Sequence, residues 1–313
     1  MGGKVQSIIT GGAGFIGSHL TDRLLYNLDF DKIYLIDNLI RTDNLRNINH
    51  LLKNDRVEFI ESDISKFDFS KFVDRDITHL FHLAAPRINR CAKYNREGHE
   101  SIANGGFNVV NYCINNRVKL FFSSTASVYQ KPKIFPIKED MACYPHTIYG
   151  SGKLYTENLI KSYDNMYGLD YTINRFFSVY GVRMDNSGAY TEVIFNWLKS
   201  IKDGNKELTV FGNPDEKVLD LVYVEDVVEA ILSTTFNSNK EVFNVSTETG
   251  TTLRELIECI SKVTGVDIEI DMVADSRTDI EKKRVGDTTK LRSLGWRPEI
   301  DLEEGITRTW KWV

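Results

Sequence analysis

Thr10-Gly11-Gly12-Ala13-Gly14-Phe15-Ile16-Gly17 decides the fold, because it directly follows an apolar strand pattern (Val5 to Ile9) and directly precedes a helical one. Glycines at 11, 14 and 17 let the chain turn tightly, bring backbone close to a pyrophosphate and seat a helix hard against a sheet. The helix N-terminus then offers N–H groups and a positive dipole end to phosphates. A glycine string alone often marks only a tight strand-to-helix turn, so a second signal is needed. It comes from the next strand pattern, Lys32-Ile33-Tyr34-Leu35-Ile36, which ends in Asp37, 20 residues beyond Gly17. A carboxylate there can hydrogen-bond both hydroxyls of an adenosine ribose and repels a 2′-phosphate, which predicts NAD rather than NADP. Asn38 follows, and the nearest cation is Arg41.

Working outward, strand patterns recur at 5–9, 32–37, 57–60, 78–83, 118–123 and 171–176, with 3.6-period segments between them. This alternation predicts an α/β fold, a Rossmann-type doubly wound parallel sheet. After residue 177 the rhythm changes. Turn-rich stretches, 181–188 and Phe211-Gly212-Asn213-Pro214-Asp215, interrupt shorter elements, with helices expected at 224–235 and 253–264 and a strand at 241–245. The expected division is an NAD-binding domain over 1–177 and, over 178–313, a smaller C-terminal substrate-binding lobe with some segments returning to the Rossmann sheet.

With 313 residues and 42% hydrophobic content, the chain can bury one large core, or one large and one small. A formal charge of −5 lacks the basic footprint of a nucleic-acid binder. The four cysteines, Cys91, Cys113, Cys143 and Cys259, show no CxxC and no His/Cys ligand spacing. They read as reduced thiols of a cytoplasmic protein, with no metal site. Met1-Gly2-Gly3-Lys4 leads straight into a strand without a signal-peptide pattern, and no apolar run approaches the about 20 residues of a membrane span.

Two further segments carry chemistry. Tyr149-Gly150-Ser151-Gly152-Lys153 opens a long helical pattern, and a spacing of four puts phenol and ammonium on one helix face. A lysine one turn away can stabilise the phenolate and make it accessible as a general base near neutral pH. Ser123-Ser124-Thr125-Ala126-Ser127 closes the fifth strand pattern, where hydroxyls can point into the ligand crevice of a parallel sheet. Singly, each could be an ordinary surface pair or a loop cap. In this order, with the glycine turn and Asp37, they are rarely accidental.

These motifs, TGGAGFIG at 10–17, Asp63-Ile64, His82-Leu83-Ala84-Ala85, Ser123-Ser124-Thr125 before Val128-Tyr129, Arg175-Phe176-Phe177-Ser178-Val179-Tyr180-Gly181 and Val222-Tyr223-Val224-Glu225-Asp226, resemble the extended short-chain dehydrogenase/reductases that epimerise or dehydrate nucleotide sugars. The resemblance spans essentially the whole chain, to Asp287-Thr288-Thr289-Lys290 and Gly295-Trp296-Arg297-Pro298, and Arg183-Met184-Asp185 with Gly188 to Val193 is most similar to 4-epimerases. It implies that Gly11, Gly14, Phe15, Ile16, Gly17, Asp37, Asn38, Asp63, Ile64, Leu83, Ala84, Ala85, Ser123, Tyr149 and Lys153 bind NAD. It implies that Thr125 hydrogen-bonds the sugar 4-oxygen, Tyr149 moves that hydroxyl's proton, and Lys153 binds the nicotinamide ribose and tunes Tyr149. Arg87, Thr125, Ser178, Phe211 and Arg277 are the implied substrate-binding residues, with core packing the other reading of Phe211. Lys282, Lys283 and Arg284 read either as a phosphate-binding run or as a solvated helix face, and Leu219 stands before Asp220 where many relatives have a phosphate-binding arginine.

The 4,6-dehydratase branch carries an Asp-Glu pair directly after the threonine; here Ala126 and Ser127 stand there. The decarboxylating branch has a glutamate near its hydroxyl residue, and none lies between Ser123 and Lys138. The expected reaction is therefore C4 epimerisation of a nucleotide-diphosphate hexose of the UDP-glucose/UDP-galactose type through a 4-keto intermediate. UDP-glucuronate 4-epimerisation or another nucleotide-sugar 4-oxidoreduction is the alternative, and Asp185, where some uronate epimerases place an arginine, shifts weight to a neutral hexose. A non-enzymatic dinucleotide sensor fits less well, since both Tyr149 and Lys153 are kept. A homodimer is expected, paired through helical patterns near 99–116 and 147–166, whose apolar residues include Val109, Val110, Ile114, Leu154, Leu159 and Ile160, some of which must also face the sheet.

Overall fold

The computed structural model describes residues 5–27, 30–40, 44–129, 132–184, 193–274 and 282–313. Arg41, Asp185 and Arg277 lie outside them. From the N-terminus the order is β1 (Gln6–Thr10), α1 (Phe15–Asn27), β2 (Lys32–Asp37), α2 (Asn44–Ile48), β3 (Val57–Glu61), β4 (Ile77–His82), α3 (Ile88–Lys93), α4 (Asn95–His99), a π-turn (Glu100–Asn104), α5 (Gly105–Asn116), β5 (Lys119–Thr125), a 3-10 turn (Ala126–Val128), α6 (Ile148–Tyr167) and β6 (Tyr171–Phe176). There follow β7 (Ser178–Tyr180), α7 (Val193–Lys202), β8 (Glu207–Phe211), β9 (Val218–Tyr223), α8 (Val224–Asn237), β10 (Glu241–Val245), β11 (Gly250–Thr252), α9 (Leu253–Thr264), β12 (Glu269–Val273), β13 (Lys283–Arg284), α10 (Thr289–Arg292) and α11 (Leu302–Trp312).

The chain forms two compact units. The first comprises Met1–Gln130, Ala142–Arg175 and Val228–Phe243; the second comprises Lys131–Met141, Phe176–Val227 and Asn244–Val313. The first is built on a seven-stranded sheet in the order β10-β6-β5-β4-β1-β2-β3, with β1 parallel to both β2 and β4. Ser7, Ile8, Ile9 and Thr10 are all buried, as a central parallel strand covered on both faces requires. One face packs Ile8, Leu80, Leu120, Phe122 and Ile173 against Val109 and Val110 of α5 and Ile160 of α6. The strand order reverses between β1 and β4, the switch point at which ligands of such sheets bind.

In the second unit β9 is the hub, pairing with β7, β11 and β13, while β8 and β12 form a separate parallel pair. Asp220 on β9 is wholly buried and accepts from Thr247 N–H (2.6 Å), Thr247 Oγ1 (2.7 Å), Glu248 N–H (3.1 Å) and Gly286 N–H (3.3 Å). One carboxylate thus ties two loops to the strand. The helix α9 begins in a capping box, Thr252 with Glu255, and ends at Gly265 in the left-handed region.

Two expectations need correction. The basic run 282–284 lies at a strand, not on a helix: β13 pairs with β9, Lys282 bonds Glu216, and Lys283 Nζ sits 4.9 Å from the centre of the Phe135 ring. The 99–116 pattern is not one regular helix, because the π-turn separates α4 from α5. There, Gly105 and Gly106 approach so closely that a Cβ would stand 2.7 Å from Ile64 Cγ2 and 2.8 Å from the Thr156 side chain. Val109, Val110 and Ile160 are completely buried and pack into the core against the sheet, as some of these apolar residues were expected to.

Candidate active site

The glycine turn is built by local bonds that fix its shape. Gly11 N–H donates to Ile36 O (2.7 Å), Gly14 N–H to Gly11 O (3.0 Å) and Ser18 N–H to Gly14 O (3.1 Å). Gly11 has φ +71°, and a Cβ on it would stand 2.8 Å from Ala84 N. A Cβ on Gly17 would lie 2.2 Å from Gly11 O, so only glycine lets α1 start directly against the turn. Phe15, Ile16 and Gly17 form the first turn of α1, where helix N–H groups have no intrahelical acceptor. Asp37, at the end of β2, is buried and already oriented: Oδ2 accepts from Ala13 N–H (3.2 Å) and Oδ1 from Leu39 N–H (2.9 Å). Asn38 beside it is exposed. Cradle and carboxylate together fit a dinucleotide, whose pyrophosphate the turn could hold and whose ribose Asp37 could hydrogen-bond.

Across the switch point, Leu83 N–H donates to Thr10 O (3.0 Å) and Ala84 N–H to Thr10 Oγ1 (3.3 Å), which sets the half-buried Leu83-Ala84-Ala85 beside the turn. Thr10 Oγ1 also lies 2.6 Å from His82 Nδ1. Burial, then the nearby Lys153, pushes the His82 pKa down to about 3, so this ring is neutral. Asp63 Oδ1 accepts from Ser65 N–H (2.9 Å) and Oγ (2.7 Å), while Ile64 packs into the core and its carbonyl takes Asn108 Nδ2 (3.2 Å).

Helix α6 starts at an N-cap, Thr147, whose hydroxyl accepts from Gly150 N–H (3.0 Å). Gly150 is needed for contact: its Cβ would fall 2.4 Å from Ser127 O, so the turn after β5 rests directly on the helix start. Tyr149 is half-buried there. Lys153, one turn on, is 1% exposed and reaches inward. Its Nζ donates to Ser123 O (2.6 Å) and Oγ (3.4 Å), and lies 4.8 Å from the centre of the Phe122 ring and 6.0 Å from that of Tyr149. Burial pushes this ammonium down to about 7, against the opposing pull of Cys91 and Glu157.

The three hydroxyls at the end of β5 divide their work. Ser123 Oγ donates to His82 O (3.0 Å) and Ser124 Oγ donates away from the cradle to Glu157 Oε1 (2.5 Å). Thr125 Oγ1 accepts from Ser127 N–H (3.1 Å), which leaves its own hydrogen to donate to a ligand. The sequence model of the NAD dependent epimerase/dehydratase family matches residues 7–246, a span holding both cradle and helix. The chain belongs to that family.

Among curated relatives of this epimerase/dehydratase, a putative UDP-glucose 4-epimerase of Methanocaldococcus jannaschii is 35% identical over 314 residues, covering 98% of this chain and 97% of that protein. Of solved structures, the UDP-glucose 4-epimerase of Thermotoga maritima with UDP-glucose superposes with a TM-score of 0.89 at 32% identity, covering 98% of each chain. The UDP-N-acetylglucosamine 4-epimerase of Methanobrevibacter ruminantium, in complex with UDP-N-acetylmuramic acid, gives 0.90 at 30% identity, over 99% of this chain and 98% of the other. NAD is the family's cofactor, and the residues of the cradle fit it.

The remaining expected residues divide between the two units. Arg87 is half-buried at the N-cap of α3. In the second unit Ser178 opens β7, half-buried. Phe211 ends β8 and is 53% exposed, so it is not a core residue. Arg284 stands in register beside Leu219 on the neighbouring strand. Sequence reasoning missed Glu157 and met Arg175 only as the first residue of a family motif; their buried ion pair ties α6 to β6. The signal for Glu157 was its place four residues after Lys153.

Proposed function

We propose that this protein interconverts the C4 epimers of a nucleotide-diphosphate hexose of the UDP-glucose/UDP-galactose type through a 4-keto intermediate. The observation that supports the reading is that α6 holds Lys153 Nζ 6.0 Å from the centre of the Tyr149 ring and 2.6 Å from Ser123 O, while Gly150 rests against Ser127 O in the turn that follows Thr125. NAD held in the cradle would supply the hydride acceptor and donor that oxidation and re-reduction at C4 of the sugar require. Tyr149 takes the proton of the C4 hydroxyl onto its phenolic oxygen and returns it after the sugar has turned over. Thr125, with Oγ1 held by Ser127 N–H, donates its hydrogen to the C4 oxygen. Lys153 holds positive charge on the Tyr149 side of α6 and offers donors to the ribose hydroxyls in place of Ser123 O.

Ala126 and Ser127 follow Thr125 in the tight turn Ala126–Val128, so no acid or base stands there to eliminate water across C5–C6. Arg87, Arg284 and Arg277 are our candidates for the diphosphate, with Phe211 and Ser178 on the nucleotide and sugar. Among the described residues no helix is long and apolar enough to cross a membrane. We place the protein in the cytoplasm as a homodimer. Exposed Phe107 on α5 with Ile148 and Tyr155 on α6 supports that pairing.

The test is incubation with UDP-glucose or UDP-galactose and no added cofactor, with products resolved by NMR. A near-equilibrium mixture without net NADH is expected. UDP-glucuronate, UDP-N-acetylglucosamine and GDP-hexoses are assayed alongside. A 4-keto-6-deoxy product, or loss of the C6 carboxyl, from any of them overturns the epimerase reading.

A further inference from the structure

Glu157 lies two turns from Tyr149 and one from Lys153, so the three share one face of α6. Its side chain is completely buried, and that of Arg175 on β6 is 3% exposed. Arg175 binds it with two parallel bonds along one edge of the guanidinium, Nε to Oε1 (3.0 Å) and Nη2 to Oε2 (2.7 Å). The same guanidinium donates to Tyr129 Oη (2.9 Å), just past the 3-10 turn, and Ser124 at the end of β5 donates to Glu157 Oε1. One carboxylate therefore joins α6, β5, β6 and the turn that caps Thr125. A buried ion pair can usually be replaced by apolar side chains with little loss of stability, so stability alone gives little reason for charge at this place.

We propose that Glu157 is a positioning residue of the reaction: through Arg175 and Ser124 it clamps α6 to the ends of β5 and β6, and it sets negative charge one turn from the Lys153 ammonium, fixing both where Tyr149 and Lys153 stand and the pH range in which they work. The proposal rests on the reading of Tyr149 and Lys153 as the proton-handling pair.

The other groups around Lys153 do not supply that charge. His82 on β4 is held neutral by burial and by Lys153 itself. The Cys91 thiol on α3 is pushed up to about 11 by burial, so it too is neutral. Arg90 on α3 and Glu97 on α4, which act on Cys91, are bound to one another at 2.6 Å and 3.0 Å. Beyond Glu157 are Lys161, 3.8 Å away on the same helix, and Cys143, its thiol raised by burial. Glu157 opposes the effect of burial on Lys153, and Arg175 tempers Glu157.

The two partners then have opposite effects. Glu157→Gln removes negative charge and should move the pH profile of kcat to the acid side by about half a pH unit or more. Arg175→Met leaves Glu157 unbalanced and should move it to the alkaline side. Both should lower kcat by about 10-fold to 100-fold through misplacement of Tyr149, with KM changed less. Each single variant strands a buried charge at a cost to folding, so Glu157→Gln/Arg175→Met is made as well. This double variant should fold and shift to the acid side, because the charge nearer Lys153 is gone. Displacement in these directions supports the proposal. An unshifted profile in the double variant, or singles that fold and shift in the same direction, overturns it. Tyr149→Phe, assayed in parallel, separates the two levels: activity there refutes the catalytic reading itself, whereas a dead Tyr149→Phe with unshifted clamp variants refutes only the role of Glu157.

Discussion

Lys153→Met should stabilise the NAD-free protein while abolishing turnover. In the unfolded chain a lysine titrates near 10.5; in the folded protein burial brings Lys153 to about 7. At neutral pH the unfolded state keeps a proton that the folded state has half lost, which costs about 4 kcal/mol of stability. Methionine has a similar volume and carries no charge, so it removes this cost. It also leaves Ser123 O without the donor now 2.6 Å away, a loss of about 1–3 kcal/mol. The net expectation is a variant more stable by about 1–3 kcal/mol near pH 7. The sign with pH follows from the depressed folded value: wild type gains stability as pH rises from 7 toward 10.5. The variant's advantage should therefore shrink by about 1.5 kcal/mol between about pH 7 and about pH 8.5. Chemical unfolding of NAD-stripped protein, followed by far-ultraviolet circular dichroism, measures both quantities. A methionine variant less stable than wild type near pH 7, or an advantage that does not fall with rising pH, refutes the account of Lys153 as a charge held against its burial.

Tyr149→Phe should lower kcat by about 10²–10⁴-fold with NAD still bound, read by the absorbance of cofactor released on denaturation; wild-type turnover would place the base elsewhere. Gly150→Ala drives a Cβ to 2.4 Å from Ser127 O, so it should destabilise by about 1–3 kcal/mol and lower kcat more than nucleotide affinity. Unchanged kcat would mean that the contact between helix start and turn does not place Tyr149. His79 and His82 are pushed by burial from 6.5 to about 4 and about 3, so their contribution is complete above pH 6.5 and lost as pH falls toward 4. Each should cost about 2 kcal/mol between about pH 7.5 and about pH 5, and His79→Phe should lose less stability over that range than wild type. An identical loss in His79→Phe would count against the buried neutral ring.

What the sequence determined by itself is local. The turn at 10–17 depends on glycines within one strand-to-helix junction, and Asp37 ends the strand next to it. Tyr149 and Lys153 share a face because four residues make about one helical turn. Each of these can be read from a short window, and each recurs in the fold at the expected place. Tertiary structure decided how those residues are held. β5 runs on to Thr125, two residues further than its pattern suggested, so alternation along a strand sends Ser124 to Glu157 while Thr125 keeps a hydrogen to donate. Lys153 turns inward to Ser123, 30 positions away, and Glu157 finds Arg175 18 positions on. The π-turn before α5 and the face left exposed by α5 and α6 likewise appear only once both helices are packed. No periodicity marks such pairs, because their partners come together through the winding of strands around the switch point. The same holds for the charge of Lys153: the sequence supplies a lysine, but its titration depends on how completely β4, β5 and α3 exclude water from it, and exclusion of water is a property of the packed fold.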